Sequence, residues 1–572
     1  MLARKEDRSL KIISGLLVLA ALLIVWKLFL LQILSNDFYA ALAQNTHEIY
    51  RQLNPKRGNI YFSDARGRAE YPAAISRLYY LVYGVPRDIS RADVASTAVY
   101  LAGLLKFDPD EAKELEGKLK KADDPYEPIA SKVEMDVVDK IKDANLKGIN
   151  FAGREYRYYP EKNSAAHVLG FVGANDVGDL TGRYGLEGAW DSELAGRSGF
   201  LAGSAGALGG WIPLAGRTLR KAVNGTDFVL TVDRALQYRA CDKLRAGLEE
   251  FKAKSAALVL MEAKSGAVLA MCSLPDFDPN DYGSVKDVSY FNNTAIFTAY
   301  EPGSVFKPVT MAIGLELGLV EPETVFTDPG ERVINDFKIH NALNKKYGTV
   351  SMTKVLENSI NTGMIWVEEK IGPLRFKEYV EKFGFGAKTG VNLDTESAGD
   401  ISSFDKKAPI YNANASFGQG FTATPIQLAA AYAALATGRL PRPNVLKETR
   451  AENGKIDRPE RESAAVISAR TQKLITAMLI SVVENGSGYK KAKLNDYFAA
   501  GKTGTAQIAR QGKYGEESNH TFAGYFPATD PRFVLVVKYE APQRQWAEST
   551  AAPVFREVAK LTLEYFGIAR DK

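Results

Sequence analysis

The chain has 572 residues, which is too many for one ordinary domain and enough for two or three. Hydrophobic residues make up 46% and charged residues 25%, a composition typical of globular rather than disordered proteins. The net charge of +5 comes from 73 basic and 68 acidic side chains, and no stretch is typical of a nucleic-acid-binding motif. Nucleic acid is therefore not expected as a partner.

An apolar stretch near the N-terminus predicts a membrane anchor. Residues 12–34 are almost wholly apolar and are long enough to cross a bilayer, which takes ~20 residues. Basic residues outnumber acidic ones in residues 1–11, so we expect this segment to be cytoplasmic and the remainder to lie outside the cell membrane. A cleaved signal peptide is the alternative, disfavoured because large residues continue through 28–31, where no small-x-small cleavage site can stand. The sequence thus predicts a single-pass membrane protein.

The next region, residues 35–226, has mixed patterns and no cluster of catalytic residues. We expect helices at 92–107, from an Asp108 N-cap to residue 122, and at 125–147, with an extended piece at 156–160. The Gly/Ala-rich segment 199–210 contains no phosphate-binding motif and is interpreted as a flexible loop.

Residues 227–572 show a sharper alternation of strands and helices. A strand at 228–232 precedes a helix from an Asp233 N-cap to residue 251. Residues 257–261 and 267–271 predict a β-hairpin. Further strands are expected at 502–508 and 532–540, and a last helix at 551–566. An antiparallel sheet flanked by helices is an α+β arrangement.

Ser304 and Lys307 form an S-x-x-K pair at the predicted start of a buried helix. Pro302 and Gly303 interrupt the preceding segment, and the residues after Pro308 are mostly apolar. Residues three apart in a helix lie on one face, so the hydroxyl and the amine are expected to be neighbours. An amine beside a hydroxyl in a dry site can lose its charge and take the hydroxyl proton. The pair alone is a weak signal, because two common residues often occur at this spacing.

Two later segments strengthen that signal. Ser359 and Asn361 offer a hydroxyl and an amide that can relay a proton and hold a substrate amide. Lys502, Thr503 and Gly504 suit the edge strand of a sheet, where the cation and the hydroxyl bind a carboxylate and the glycine admits a ligand backbone. A phosphate-binding loop is excluded because Asp496 stands where that motif needs glycine.

The cysteines and histidines indicate neither a metal site nor a hydrolase triad. Cys241 and Cys272 lie in unrelated segments and are interpreted as two buried free thiols, with a single bridge left open. The histidines are scattered and none accompanies Ser304 in a hydrolase pattern, so Lys307 is the expected base. They are His47, His167, His340 and His520.

With its three motifs in this order, the chain resembles the class B, monofunctional penicillin-binding proteins. Further segments resemble parts of that family, namely 55–61 after the anchor, 184–188 in its pedestal, and 416–420 with 424–429 in its catalytic domain. The resemblance implies a pedestal (dimerisation-type) domain at 35–226 and a transpeptidase domain at 227–572. It also implies the family fold, in which helices flank an antiparallel sheet.

The resemblance further implies a peptidoglycan D,D-transpeptidase that works without a metal or organic cofactor. Ser304 would form an acyl-enzyme with a stem peptide after Lys307 takes its proton, and the backbone N–H groups of Ser304 and Thr505 would form the oxyanion hole. Ser359 would pass a proton to the leaving D-alanine, and Asn361 would orient Lys307 and the substrate amide. The substrate's terminal carboxylate would be held by Lys502 and Thr503, in a binding strand that includes Gly504 and Thr505. β-Lactams would acylate the same serine, and a polytopic glycan polymerase and other wall-synthesis proteins are the implied partners.

Several alternatives stay open within and beyond this family. A D,D-carboxypeptidase or a β-lactamase would share the site, and a non-enzymatic scaffold of the wall-synthesis machinery would not need Lys307. A bifunctional enzyme is disfavoured because the region before the catalytic domain has no sign of a glycosyltransferase. The segments 502–505 and 522–528 favour the septal, division-type group over the lateral-wall, elongation-type group. The Ile360 between Ser359 and Asn361 departs from the smaller or polar residue often found there.

Overall fold

The computed structural model describes residues 48–64, 66–67, 69–175, 180–204, 217–486, 489–510 and 513–572. The predicted anchor at 12–34 lies outside these residues. Within them, no helix combines the length and the apolar character needed to cross a bilayer. The described residues divide into two compact units, one within 48–57 and 195–225 and the other within 58–194 and 226–572.

The described α-helices, in chain order, are α1 Val94–Leu105, α2 Pro109–Leu119, α3 Met135–Asp143, α4 Ala166–Leu169, α5 Gly185–Ala189, α6 Asp191–Ala195, α7 Arg234–Phe251, α8 Lys307–Glu316, α9 Met352–Glu357, α10 Asn361–Ile371, α11 Pro373–Lys382, α12 Pro409–Ser416, α13 Pro425–Thr437, α14 Ala469–Asn485 and α15 Ala551–Phe566. The described strands are β1 Glu48–Leu53, β2 Ile60–Ser63, β3 Glu70–Gly84, β4 Glu127–Val133, β5 Ile149–Tyr158, β6 Phe171–Ala174, β7 Leu180–Arg183, β8 Gly199–Ser204, β9 Arg217–Arg220, β10 Asp227–Asp233, β11 Ser255–Glu262, β12 Val268–Leu274, β13 Val325–Asp328, β14 Glu331–Ile334, β15 Phe337–His340, β16 Gly348–Ser351, β17 Arg439–Pro441, β18 Leu446–Arg450, β19 Ile456–Asp457, β20 Ser463–Ala465, β21 Ala500–Arg510, β22 Lys513–Phe526 and β23 Phe533–Glu540.

The smaller unit contains a three-stranded antiparallel sheet in the order β1-β8-β9. The interpretation of 199–210 as a flexible loop is therefore wrong for its first half, because residues 199–204 form β8 between two partner strands. Glycine and alanine are poor strand formers alone, and pairing on both sides supplies the order that local preference does not.

In the larger unit, a seven-stranded sheet has the order β19-β18-β10-β2-β3-β4, with β5 also paired to β3. Beside β3 and β5, helices α1–α3 enclose a small core that includes Val82, Leu101 and Val138. Asp108 caps α2 as predicted, and its side chain accepts hydrogen bonds from the Asp110 and Glu111 backbones. The single helix predicted at 125–147 is wrong: β4 pairs with β3 before the shorter α3 begins. Tertiary pairing here overrides the helical pattern.

The other large sheet of this unit is antiparallel, with the strand order β12-β11-β23-β22-β21. Helices cover both of its faces: α7 and α15 pack on the face of Phe522 and Tyr539, and α14 lies against Tyr525 on the opposite face. The predicted hairpin, the strand predicted at 502–508 and the last helix are all present, which confirms the α+β expectation. Strand β22 was not predicted.

Cys241 and Cys272 form a disulfide, so their interpretation as free thiols is wrong. Cys241 lies on α7 and Cys272 on β12, and this helix packs directly on this strand. Their Cα atoms are 5.5 Å apart, within the range that a disulfide spans. The proximity comes from helix-on-sheet packing, which cysteine spacing alone does not reveal.

Candidate active site

Ser304 lies in a short 3₁₀ turn, Gly303–Phe306, that leads directly into the buried helix α8. Gly303 has φ +61°, and its N–H donates to the Gly418 carbonyl at 2.8 Å. The Tyr432 hydroxyl donates to the Val305 carbonyl at 2.8 Å, and Phe306 is fully buried. The turn is therefore anchored on both sides, while Ser304 itself lines a cavity.

Lys307 is fully buried beneath that cavity. Its Nζ donates to the Ser359 carbonyl at 2.5 Å, to Ser359 Oγ at 3.0 Å and to Asn361 Oδ1 at 2.7 Å. Burial, and secondly the nearby cation of Lys502, hold the pKa of the Lys307 amine well below its usual range. The amine is thus suited to accept a proton near neutral pH.

Ser359 and Asn361 approach Lys307 from the segment between α9 and α10. Ser359 has a left-handed backbone with φ +55°, which lets both its carbonyl and its hydroxyl reach the amine. Asn361 Nδ2 donates to the His340 carbonyl at 2.8 Å, leaving Oδ1 directed at Lys307. Ile360 is fully buried in the core, so its side chain adds nothing to the cavity wall.

Lys502, Thr503, Gly504 and Thr505 lie on β21, which has a strand partner on one side only in the described sheet. Lys502 is fully buried; its Nζ donates to the Tyr489 hydroxyl and to the Thr503 carbonyl. Burial lowers the pKa of the Lys502 amine to about 7.

Gly504 faces the turn that carries Ser304. A Cβ at this position would lie 2.8 Å from the Pro302 carbonyl oxygen and 3.0 Å from Val305 Cγ1. The missing side chain lets β21 approach the turn that carries Ser304. This contact was not anticipated, since the sequence suggested that the glycine makes room for a ligand.

The cavity has a volume of about 210 Å³ and brings together residues from all three motifs. Ser304, Ser359, Asn361, Thr503 and Thr505 line it. Lys307 and Lys502 are buried behind this lining, and Gly504 packs on the turn. A larger cavity of about 640 Å³ elsewhere in the chain is lined by none of these residues.

Sequence reasoning missed several other residues that line the same cavity. They are Gly303, Ala342, Phe417, Gln419, Tyr489, Trp546 and Glu548. Phe417 and Gln419 fall in the segment 416–420, whose resemblance to the family assigns them no role in the site. Tyr489, Trp546 and Glu548 belong to no recognisable motif, and only the folding of the loops beside β21 and α15 reveals them.

Two family models match the chain: "Penicillin-binding Protein dimerisation domain" over residues 52–230 and "Penicillin binding protein transpeptidase domain" over residues 256–560. The chain is 32% identical to stage V sporulation protein D of Bacillus subtilis, covering 97% of this chain and 85% of the relative. It is 28% identical to peptidoglycan D,D-transpeptidase FtsI of Escherichia coli, covering 98% of this chain and 92% of the relative.

Among solved structures, penicillin-binding protein 3 of Mycobacterium tuberculosis, in complex with aztreonam, aligns with a TM-score of 0.69 at 26% identity. The alignment covers 91% of this chain and 98% of that one. The transpeptidase match alone spans more than half of the sequence, and the dimerisation match precedes it in the chain. From these matches and the site geometry, the chain belongs to the class B penicillin-binding proteins.

Proposed function

We propose that this protein is a serine-type peptidoglycan D,D-transpeptidase that cross-links stem peptides in septal wall synthesis. The observation that carries the proposal is the position of Lys307. It is a fully buried amine, three residues from Ser304, held by Ser359 and Asn361 behind the cavity that Ser304 lines. Such an amine is a base for a hydroxyl nucleophile, and the arrangement leaves no need for a histidine.

In the proposed first step, Ser304 Oγ attacks the carbonyl carbon of the penultimate D-alanine, and the neutral Lys307 amine takes the hydroxyl proton. The backbone N–H groups of Ser304 and Thr505 stabilise the oxyanion. Ser359 gives its proton to the departing D-alanine nitrogen, and the Lys307 ammonium returns one to Ser359 across their 3.0 Å contact. An amine of a second stem peptide then attacks the acyl-enzyme and regenerates Ser304.

The remaining motif residues bind the donor peptide. Lys502 supplies positive charge and Thr503 a hydroxyl for the terminal carboxylate. Thr505 lines the same wall, and its Oγ1 accepts a hydrogen bond from the Ala547 N–H at 3.1 Å. Gly504 keeps this strand close to the nucleophile. Asn361 fixes Lys307 and keeps a second N–H for the substrate amide.

Labelling with a fluorescent penicillin tests the nucleophile. We expect a stable, SDS-resistant adduct on the wild-type protein and none on S304A. S402A, which removes an exposed serine hydroxyl outside the cavity, is the matched control and should label normally. Labelling that persists in S304A would refute the assignment, and an unlabelled wild-type protein would favour the non-enzymatic scaffold.

Acyl transfer to an amine distinguishes a transpeptidase from a D,D-carboxypeptidase and from a β-lactamase. With a D-alanyl-D-alanine donor and a D-amino acid acceptor, a transpeptidase yields the exchanged peptide, whereas a carboxypeptidase yields only the shortened one. Hydrolysis of the benzylpenicillin acyl-enzyme within minutes, with release of benzylpenicilloate, would instead indicate a β-lactamase.

The proposal includes residues 12–34 as a single membrane anchor, residues 1–11 in the cytoplasm, a pedestal at 35–226 and a catalytic domain at 227–572 outside the cell membrane. A polytopic glycan polymerase is the expected partner. The segments 502–505 and 522–528 support the division-type group. A fluorescent fusion should therefore gather at the division site; uniform lateral labelling would support the elongation-type alternative.

Similarity to a relative named for sporulation favours a second candidate, cross-linking during sporulation, which predicts expression only in sporulating cells.

A further inference from the structure

Tyr489 is a buried aromatic residue of the cavity that no motif explains. It lies in the loop between α14 and β21, is 3% exposed, and contributes to the lining beside Ser359 and Thr503. A tyrosine with a fully dry environment needs partners for its hydroxyl.

Lys502 is such a partner, and two further motif residues lie beside the phenol. Lys502 Nζ donates to the Tyr489 hydroxyl and also lies 5.0 Å from the centroid of its ring. Thr503 and Ser359 line the cavity beside the same phenol. One side chain thus links the second and third motifs, which lie far apart in the sequence.

The contact with Lys502 has an electrostatic consequence. A buried lysine tends to lose its proton, because burial penalises the ammonium. A phenol oxygen that accepts from the ammonium and an aromatic face beside it both favour the charged form. The described hydrogen bonds give Lys502 Nζ only one other acceptor, the Thr503 carbonyl at 3.1 Å.

We infer that Tyr489 is a positioning residue of this site, which favours the charged form of Lys502 and directs it at the wall that binds the substrate carboxylate. The inference rests on the proposed transpeptidase function, and Tyr489 acts within that same site. Tyr489 works through Lys502, and its contribution is greatest for substrates that carry the carboxylate. The charge on Lys502 also helps to keep Lys307 neutral.

Other titratable groups surround this pair and are part of its electrostatics. They are Lys307, which interacts electrostatically with Lys502, and Tyr347, Tyr432 and Glu548, which interact electrostatically with Tyr489. Burial, and to a smaller extent Glu548, raise the pKa of the Tyr489 phenol, so the phenol stays neutral and its oxygen accepts from Lys502.

The test is Y489F in the full-length protein, which keeps the ring and removes the hydroxyl. Acylation by benzylpenicillin, which has a carboxylate, should be about 10- to 100-fold slower near pH 7.5, as expected for a lost hydrogen bond to a charged group. Acylation by benzylpenicillin methyl ester should change by less than about threefold, since Lys502 has no carboxylate to bind in it. The alkaline limb of the benzylpenicillin profile should move to lower pH, because Lys502 then loses its proton more easily.

Y539F is the matched control, because Tyr539 is equally buried and its hydroxyl donates to the Leu244 carbonyl at 3.0 Å on the far side of the sheet. It should leave both rates and the pH profile unchanged. If Y489F unfolds, 3-fluorotyrosine at position 489 keeps the shape and weakens the oxygen as an acceptor, so it should move the limb in the same direction. Equal losses for acid and ester, or an unmoved alkaline limb, would overturn the inference. Failure of the wild-type protein to be acylated would instead overturn the proposed function.

Discussion

Asn361 joins Lys307 to the His340 carbonyl, accepting from the amine at 2.7 Å and donating to the carbonyl at 2.8 Å. Its amide is therefore fixed with the oxygen toward the Lys307 amine. A neutral acceptor at this position holds the Lys307 amine without the strong preference for an ammonium that a carboxylate would impose.

N361D tests this relationship by placing a carboxylate beside Lys307. The new charge should raise the pKa of the Lys307 amine from its lowered value, so that less of the base is neutral at pH 7. Acylation by benzylpenicillin at pH 7 should fall by about 10- to 100-fold and recover as the pH rises. N453D makes the same exchange in an exposed turn, where Asn453 Oδ1 accepts from the Lys455 N–H. It should leave the rate of acylation unchanged. A uniform loss at all pH values would contradict this account.

The charge of Lys502 should make carboxylate binding pH-dependent. Burial lowers the pKa of this amine to about 7, so its positive charge is present below pH 7 and is lost as the pH rises through that value. The apparent affinity for benzylpenicillin should fall by about tenfold per pH unit above the midpoint. K502R keeps its charge throughout this range and should remove the alkaline fall. An alkaline fall that is unchanged in K502R would assign the titration to another group.

Gly504 should tolerate no side chain. In G504A the new methyl group would meet the Pro302 carbonyl and Val305, pushing β21 away from the turn of Ser304. We expect acylation to be about 10- to 100-fold slower, measured by stopped-flow with a chromogenic cephalosporin. Gly515 on β22 is the matched control, because a Cβ there meets nothing closer than 3.8 Å. Equal rates for G504A and the wild-type protein would show that this close contact is unimportant.

The disulfide should contribute stability without contributing to chemistry. Cys241 and Cys272 are 31 residues apart. In the chain-entropy account, a disulfide that closes a loop of that length in the unfolded chain stabilises the folded state by about 3–4 kcal/mol. C241S/C272S should lower the free energy of unfolding by about this amount, as measured by urea titration, with acylation of the folded protein unchanged. Reductant should reproduce the loss in the wild-type protein and have no effect on the double variant; a further loss there would indicate another cause.

The sequence predicted much of the catalytic architecture, because its signals are local. The turn before α8, the Asp233 cap of α7 and the hairpin of β11 and β12 are each specified by a few adjacent residues. The three motifs meet in one cavity, as the family resemblance implied.

What the sequence did not reveal depends on tertiary packing. Strand β22 has the polar run 516–520 in its middle, so it lacks the alternation that marks a strand, and its neighbours β21 and β23 hold it in place. The cysteine pairing and the contact of Tyr489 with Lys502 likewise join segments whose proximity is set only by the folded sheet.

Strand β21 is bordered by β22 alone in the five-stranded sheet. Its outer backbone groups can accept an extended peptide by β-augmentation, in which the main-chain N–H and C=O groups of the peptide and of the strand hydrogen-bond to each other. Recognition of this kind depends on the direction and length of the bound peptide backbone more than on its side chains. Tolerance of varied peptides and strict demand for a free C-terminal end would then arise from the same strand.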